Sequence, residues 1–150
     1  MFSFSTIQTL FSKEENQRIL ECVIENEKKT SGEIRIFIES HCMYMNPLWR
    51  AHEIFNQLNM YQTVNRNGVL IYIAYKDRDF ALYSDKYIFE KTTQQFWDAQ
   101  SKNLIKGFYQ KNEVDSLIQC INDVGAELHK HFPYMGENKN ELPDEIVFGK

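Results

Sequence analysis

The chain has 150 residues, which is enough for one domain with an ordinary hydrophobic core and too few for two. Its 17 Lys and Arg residues against 21 Asp and Glu residues give a net charge of −4, which disfavours nucleic acid as a partner. The sequence lacks a long apolar stretch and the features of a signal peptide. We therefore expect a cytoplasmic protein without a membrane span.

The first two predicted elements are a helix and a strand. Ser12 followed by Glu15 forms a capping-box pattern, which predicts a helix that runs from there to a glycine stop at Gly32. Three isoleucines then alternate with mostly polar residues between positions 33 and 39. This alternation predicts a strand with one clearly buried face.

The middle of the chain is predicted to form a helix and a hairpin. After a loop that contains Met and Pro, apolar residues at helical spacing predict a second helix over residues 48–59. The turn at residues 65–68 leads to a continuous apolar run at 69–75, typical of a central strand covered on both faces. A short polar link then precedes residues 80–83, which predicts a hairpin.

The last third is predicted to be helical. One helix is expected over residues 87–108, and a second, with the cleanest amphipathic pattern of the chain, over 114–128. The following tail is polar until residues 146–148, which we expect either to dock on the surface or to stay mobile. The predicted organisation is one α/β domain over residues 1–132 and a C-terminal tail over 133–150.

The order of these elements, together with four sequence segments, resembles the TPM domain family. The segments are residues 30–38, Ala51 with Ile54-Phe55, residues 67–74 and Asp77-Arg78. The ending at residues 140–149 is similar to that of short single-domain members from Bacteroidetes-type bacteria. The family also includes thylakoid lumen and photosystem-repair proteins. The resemblance implies a Rossmann-like α/β/α sandwich with a small mixed β-sheet and flanking helices, calcium or magnesium binding, and acid phosphatase activity.

One segment departs from the family pattern. Many members carry Gly-x-Gly after the third strand, whereas this chain has Ser84-Asp85-Lys86 at that place. The departure argues against an activity that requires those glycines.

The predicted topology gathers polar residues at one edge of the sheet, which we call the carboxyl-end rim. Because two parallel strands joined by a right-handed helical crossover end on the same edge, Glu39 and His41 are expected beside Asp77 and Asp79. Open α/β sheets usually bind ligands outside the carboxyl ends of parallel strands. Asp77 and Asp79 are therefore candidate metal ligands, with the alternative that both are solvated hairpin residues.

A second polar cluster is expected at the opposite edge, the amino-end rim. The third strand runs back by the hairpin, so Asp85 returns near Asn67, Arg66 and Glu33. The family resemblance points more strongly to this rim, and carboxylates with an Asn carbonyl suit calcium or magnesium. Asp85 and Glu33 are thus further candidate metal ligands, with the alternative that Asp85 only caps the helix that follows it.

Three functions are compatible with these residues. The first is a non-catalytic or weakly catalytic module that binds calcium or magnesium at an acidic rim and contacts a protein partner. The second, implied by the resemblance, is a metal-assisted acid phosphatase in which a metal activates water and a carboxylate acts as base. The third is a structural interaction module recognised through Trp97 or the tail. The first is favoured, because the topology supplies acidic rims whereas no nucleophile motif identifies catalytic residues.

Overall fold

The computed structural model describes residues 10–136 and 146–149. Four strands form one mixed sheet in the order β3-β2-β1-β4, in which β1 runs parallel to β2 and to β4, and β3 runs antiparallel to β2. Within the described ranges, none of the helices has the length and hydrophobicity to cross a lipid bilayer. The elements are α1 Lys13–Glu27, β1 Glu33–Glu39, α2 Pro47–Gln57, a short 3₁₀ helix Met60–Gln62, β2 Gly68–Ala74, β3 Asp79–Ser84, α3 Lys86–Lys91, α4 Gln94–Tyr109, α5 Glu113–His131 and β4 Ile146–Phe148.

Helices cover both faces of the sheet, so the predicted α/β/α sandwich is confirmed. The larger core lies between one face of the sheet and α1, α4 and α5, where Ile36 and Ile71 meet Leu104 and Ile121. A smaller cluster around Tyr72 lies on the other face, against α2 and the 3₁₀ helix. The predicted hairpin of β2 and β3 and the amphipathic last helix are also confirmed.

β1 is buried on both faces, which corrects the expectation of one buried face. Its isoleucines face the larger core, whereas Phe37 packs in the smaller cluster with Ala51 and Phe55 of α2. The polar residues that suggested a solvated face find partners inside the fold, as Glu39 does with a residue of α2. The alternation of apolar and polar residues in β1 therefore reflects two different buried environments, one on each face of the sheet. It does not reflect one buried and one solvated face.

The helix predicted over residues 87–108 is two helices, and the break is at Thr92 and Thr93. The Thr93 side chain accepts a hydrogen bond from the Phe96 backbone N–H at 3.2 Å and so caps α4. Threonine hydroxyls compete with the helical hydrogen bonds of the backbone, which explains the interruption. The Thr92 hydroxyl also accepts from the indole N–H of Trp97 at 2.7 Å. Trp97 is consequently buried, at 3% exposure.

Part of the predicted tail belongs to the sheet. Ile146–Phe148 pairs with β1 as the fourth strand, and the Gly149 N–H donates to the Ile38 carbonyl at 2.7 Å. A Cβ atom at Gly149 would lie 2.6 Å from Cζ of Phe37, so only glycine fits this approach without rearrangement. Of the two outcomes expected for residues 146–148, docking is therefore the one observed.

Replacing Ser12 tests the start of α1. The Ser12 hydroxyl accepts from the Glu15 N–H at 3.1 Å, and the Glu15 carboxylate accepts from the Ser12 N–H at 2.8 Å. Ser12→Ala removes one of these bonds and should lower the free energy of unfolding by about 1 kcal/mol, as measured by urea unfolding. Ser12→Asp retains an acceptor and is the matched control. Equal stability of the alanine variant and the wild type would show that the cap does not stabilise the fold.

Candidate functional site

The carboxyl-end rim is present where the strands β1 and β2 end side by side. Glu39 is in register with Ala74 of β2, and Asp79 of β3 lies opposite the same alanine. Just beyond the strands, the Tyr75 N–H donates to the Glu39 carbonyl at 3.0 Å. The backbone therefore holds the loop after β1 against the β2–β3 hairpin, as the topology predicted.

Asp77 is fixed at this rim by two hydrogen bonds. Its Oδ1 lies 2.7 Å from Nδ1 of His41, and its Oδ2 accepts from the Cys42 N–H at 2.7 Å. The hydrogen bond with His41, and then that from Cys42, lower the pKa of Asp77 because both favour the charged carboxylate. Asp77 is thus a charged group that connects the loop after β1 to the hairpin.

Asp79 lies close enough to Asp77 for their charges to interact. Burial raises the pKa of Asp79, and the negative charge of Asp77 raises it further. Arg78 stands between them in the chain but turns away, since its guanidinium donates to the Phe108 carbonyl at 3.1 Å and lies 5.4 Å from the centre of the Tyr109 ring. Arg78 therefore does not compensate the repulsion between the two aspartates.

Glu39 belongs to the same rim but its carboxylate is already bound. It accepts from Nε and Nη2 of Arg50 at 2.8 and 2.9 Å, and from the buried hydroxyl of Tyr72. Arg50 also donates to Glu53, which accepts from the Tyr44 hydroxyl. Burial, and then the hydrogen bond to Glu39, raise the pKa of Tyr72. Glu39 thus serves a buried network and is a poor candidate for a metal ligand.

The amino-end rim contains Asp85 in a comparable pair. Its side chain is 3% exposed and accepts from Nε and Nη2 of Arg66 at 2.7 and 2.8 Å. It also accepts from the Lys86 N–H at 2.8 Å and so caps α3, which was the alternative predicted for it. The charge of Asp85 is therefore neutralised by a bidentate arginine.

Asn67 and Glu33 complete the amino-end rim. Glu33 is buried at the start of β1, in register with Gly68, as the topology predicted. Asn67 is fully buried and its side-chain N–H donates to the Ser31 hydroxyl at 3.2 Å. Its carbonyl oxygen has no hydrogen-bond partner within the described part of the chain. A buried acceptor of this kind is a place for a water molecule or a cation.

The predicted metal ligands therefore fall into two pairs, Asp77 with Asp79 and Asp85 with Glu33. Across residues 10–136 and 146–149, no group of three or more His, Cys, Asp and Glu side chains is arranged to hold a metal ion. Magnesium usually binds through one or two carboxylates and keeps several waters, whereas calcium takes six to eight oxygen ligands. Two carboxylates at either rim are too few to form a calcium site without further oxygen ligands.

The sequence matches the family model of the TPM domain at residues 6–127. The chain belongs to the TPM domain family. The family resemblance seen in the sequence is therefore confirmed, and it extends over both rims. A search of the curated proteins found no significant match for this TPM domain.

Two solved structures show the same fold as this TPM domain. The NMR structure of the BA42 protein from the psychrophilic bacterium Bizionia argentinensis is similar at a TM-score of 0.84 and 35% sequence identity, covering 93% of this chain and 96% of that chain. The N-terminal domain of the cg2496 protein from Corynebacterium glutamicum has a TM-score of 0.62 at 12% identity, covering 90% and 82%. The second likeness concerns the fold alone.

The sequence located both rims of the TPM domain and placed Arg66 near Asp85, but it did not predict that Arg50 and Tyr72 bind the carboxylate of Glu39. Tyr72 stands in a continuous apolar run and was interpreted only as part of a core strand, although a buried tyrosine hydroxyl needs a partner. The need of the buried Tyr72 hydroxyl for a hydrogen-bond acceptor is the feature from which its bond to Glu39 could have been predicted. The hairpin topology predicted that Arg66 lies near Asp85, but no local pattern indicated their bidentate pairing, because 19 positions separate them.

Asn substitutions at Asp77 and Asp79 should change stability in opposite directions. Since folding lowers the pKa of Asp77, its charged form stabilises the fold above the usual Asp pKa, and this is lost as the pH falls through the lowered value. Asp77→Asn should therefore destabilise the protein at pH 7. Since folding raises the pKa of Asp79, its ionisation costs stability at neutral pH. Asp79→Asn should therefore stabilise the protein at pH 7.

Urea unfolding of both variants at neutral and acidic pH measures these effects. The advantage of Asp79→Asn should shrink as the pH falls and Asp79 becomes protonated in the folded state. Asp115→Asn is the control for removal of an exposed charge, since the Asp115 side chain is 65% exposed and paired with the similarly exposed Arg18 of α1. Equal destabilisation by both rim variants at pH 7 would contradict the proposed repulsion.

Proposed function

We propose that this TPM domain is a non-catalytic binding module that takes up a hydrated divalent cation, magnesium or calcium, at the carboxyl-end rim. The supporting observation is that Asp77 and Asp79 lie at the same rim, where burial, and then the negative charge of Asp77, raise the pKa of Asp79. The carboxylates of Glu39 and Asp85, by contrast, are each held by a bidentate arginine. Neither Asp77 nor Asp79 is paired with an arginine within the described residues, and Asp77 is bonded to His41 and to the Cys42 N–H. A cation bound beside the two aspartates would remove their repulsion.

The position and the ligand number support the same proposal. The two aspartates lie outside the carboxyl end of β2, where open α/β sheets usually bind ligands. The Asp77 side chain is 31% exposed, so water has access to complete the coordination shell. Two carboxylates with water suit magnesium better than calcium, and we expect weak binding because few protein ligands take part.

A metal-assisted acid phosphatase is the second candidate, and the raised pKa of Asp79 favours it. A carboxyl group with a raised pKa is a better general acid than an ordinary surface aspartate. The assay is hydrolysis of p-nitrophenyl phosphate with magnesium at mildly acidic pH. Turnover lost in Asp79→Asn and kept in Asp115→Asn would support this candidate. Wild-type turnover in both Asp79→Asn and Asp85→Asn would exclude either aspartate as the catalytic group.

The protein partner and the cytoplasmic location stay predictions. The third candidate function assigned partner recognition to Trp97 or to the tail. Trp97 is buried, so its indole is not offered to a partner in this fold. Residues 146–148 of the tail are paired with β1.

Metal titration tests the cation site directly. Magnesium chloride and calcium chloride are added to chelator-treated protein, and the backbone amide signals are followed by NMR. We expect saturable shifts at Asp77, Asp79 and Cys42, since the Cys42 N–H is bonded to Asp77. Asp79→Asn should weaken binding by about tenfold or more, equivalent to about 1.4 kcal/mol.

Two matched variants locate the site. Asp85→Asn alters the amino-end rim and Asp115→Asn alters an exposed position of α5, and both should bind as the wild type does. Loss of binding in Asp85→Asn with normal binding in Asp79→Asn would assign the cation to the amino-end rim. Absence of any saturable shift with either metal would overturn the proposal.

A further inference from the structure

The loop after β1 and the start of α2 expose three large apolar side chains. Met43 is 88% exposed, Met45 is 96% exposed and Trp49 is 60% exposed. Single exposed apolar residues are common at protein surfaces, but these three lie within one stretch of seven residues. We call Met43, Met45 and Trp49 the apolar tip. Large apolar side chains that are exposed together indicate an interaction surface, whereas single ones do not.

The apolar tip is presented by an ordered loop. The Cys42 N–H donates to Asp77 at 2.7 Å, and the Tyr44 hydroxyl donates to Glu53 of α2. Asn46 then caps α2, its side chain accepting from the second residue of the helix at 2.9 Å. The residues that alternate with the exposed methionines are thus bonded back to the domain. The outward direction of the methionines follows from this anchoring.

The composition of the loop suits the boundary between water and lipid. Residues 41–49 contain no Lys, Arg, Asp or Glu, in a chain whose charged residues make up 25%. They combine Met and Leu with Tyr and Trp, whose amphipathic rings are favoured at the headgroup level of membranes. An uncharged tip can enter that region without the cost of removing a charge from water.

The shape of the tip is compatible with insertion into a lipid surface. Side chains exposed to 88% and 96% are hardly covered by the rest of the domain, so Met43 and Met45 protrude. A protruding tip needs a concave or a deformable receiver, and the interfacial region of a bilayer is deformable. We propose that the apolar tip inserts into the interfacial region of a lipid bilayer and anchors the domain at a membrane surface. This proposal does not rest on the cation site.

Sedimentation with phosphatidylcholine vesicles tests the insertion. The wild type should co-sediment with the vesicles, in chelator and in high salt alike, because the tip carries no charge for salt to screen. Met43→Ser with Met45→Ser should lower the partition coefficient by about tenfold or more, since it removes most of the apolar area of the tip. Met135→Ser, at a methionine that is 78% exposed elsewhere, is the matched control and should bind normally.

Tryptophan fluorescence reports the depth of the tip. Brominated phosphatidylcholine should quench the wild-type emission, because Trp49 would contact the lipid. Trp49→Phe should not be quenched, since the remaining Trp97 is 3% exposed. Thermal unfolding by circular dichroism checks that the exposed-site variants keep the fold.

Four results would overturn the proposal. The first is a wild type that stays in the supernatant at millimolar lipid, and the second is a double serine variant that binds as the wild type does. The third is binding that requires phosphatidylserine and is abolished by salt, which would assign it to charged residues. The fourth is a dimer in sedimentation velocity that the double serine variant loses, without vesicle binding, which would make the tip a self-association surface.

Discussion

The bidentate contact between Arg50 and Glu39 is the interaction on which the carboxyl-end rim depends. β1 is covered on both faces, so a carboxylate at its end is taken out of water and requires a partner of opposite charge. Arg50 supplies that partner from α2, and the Tyr72 hydroxyl completes the shell of the carboxylate. Removing Arg50 would leave the buried carboxylate of Glu39 without a partner of opposite charge. The pair therefore fixes where α2 lies on the sheet, and with it the start of the loop that carries the apolar tip.

A second pair of an arginine and a carboxylate lies at the opposite rim. Comparison of the two rims shows which carboxylates have no arginine partner. Arg66 donates two hydrogen bonds to the Asp85 carboxylate, which also caps α3. Each rim thus has one acidic residue whose charge is compensated by a guanidinium. Asp77 and Asp79 are not compensated in this way. Asp77 is bonded to His41 and to the Cys42 N–H, and Asp79 is partly buried beside the charge of Asp77. The electrostatic asymmetry of the domain therefore lies at the carboxyl ends of β1 and β2, where ligands bind in many α/β folds.

Local patterns in the sequence were sufficient for most elements, because capping boxes, alternation and turn residues act over a few positions. Apart from the helix break at Thr92 and Thr93, which is local, the features that were not predicted depend on distant partners. Alternation in β1 could not show that its polar face is covered, because the covering residue Arg50 lies 11 positions away in α2. Ile146–Phe148 is too short for a strand pattern and needs the edge of β1 to pair. The sequence shows that residues 41–49 carry no Lys, Arg, Asp or Glu. It does not predict that their apolar side chains are exposed, since apolar residues ordinarily indicate burial.

The hydrogen bond from Cys42 to Asp77 gives the carboxyl-end rim and the apolar tip a shared component. Any ligand that competes for Oδ2 of Asp77 releases the Cys42 N–H and loosens the first anchor of the loop that carries Met43. Occupancy at one place is then thermodynamically linked to conformation at the other. Such linkage is reciprocal, so whatever orders or displaces the loop changes the affinity of the rim by the same factor. A single backbone amide would be enough to make two neighbouring surfaces respond to each other.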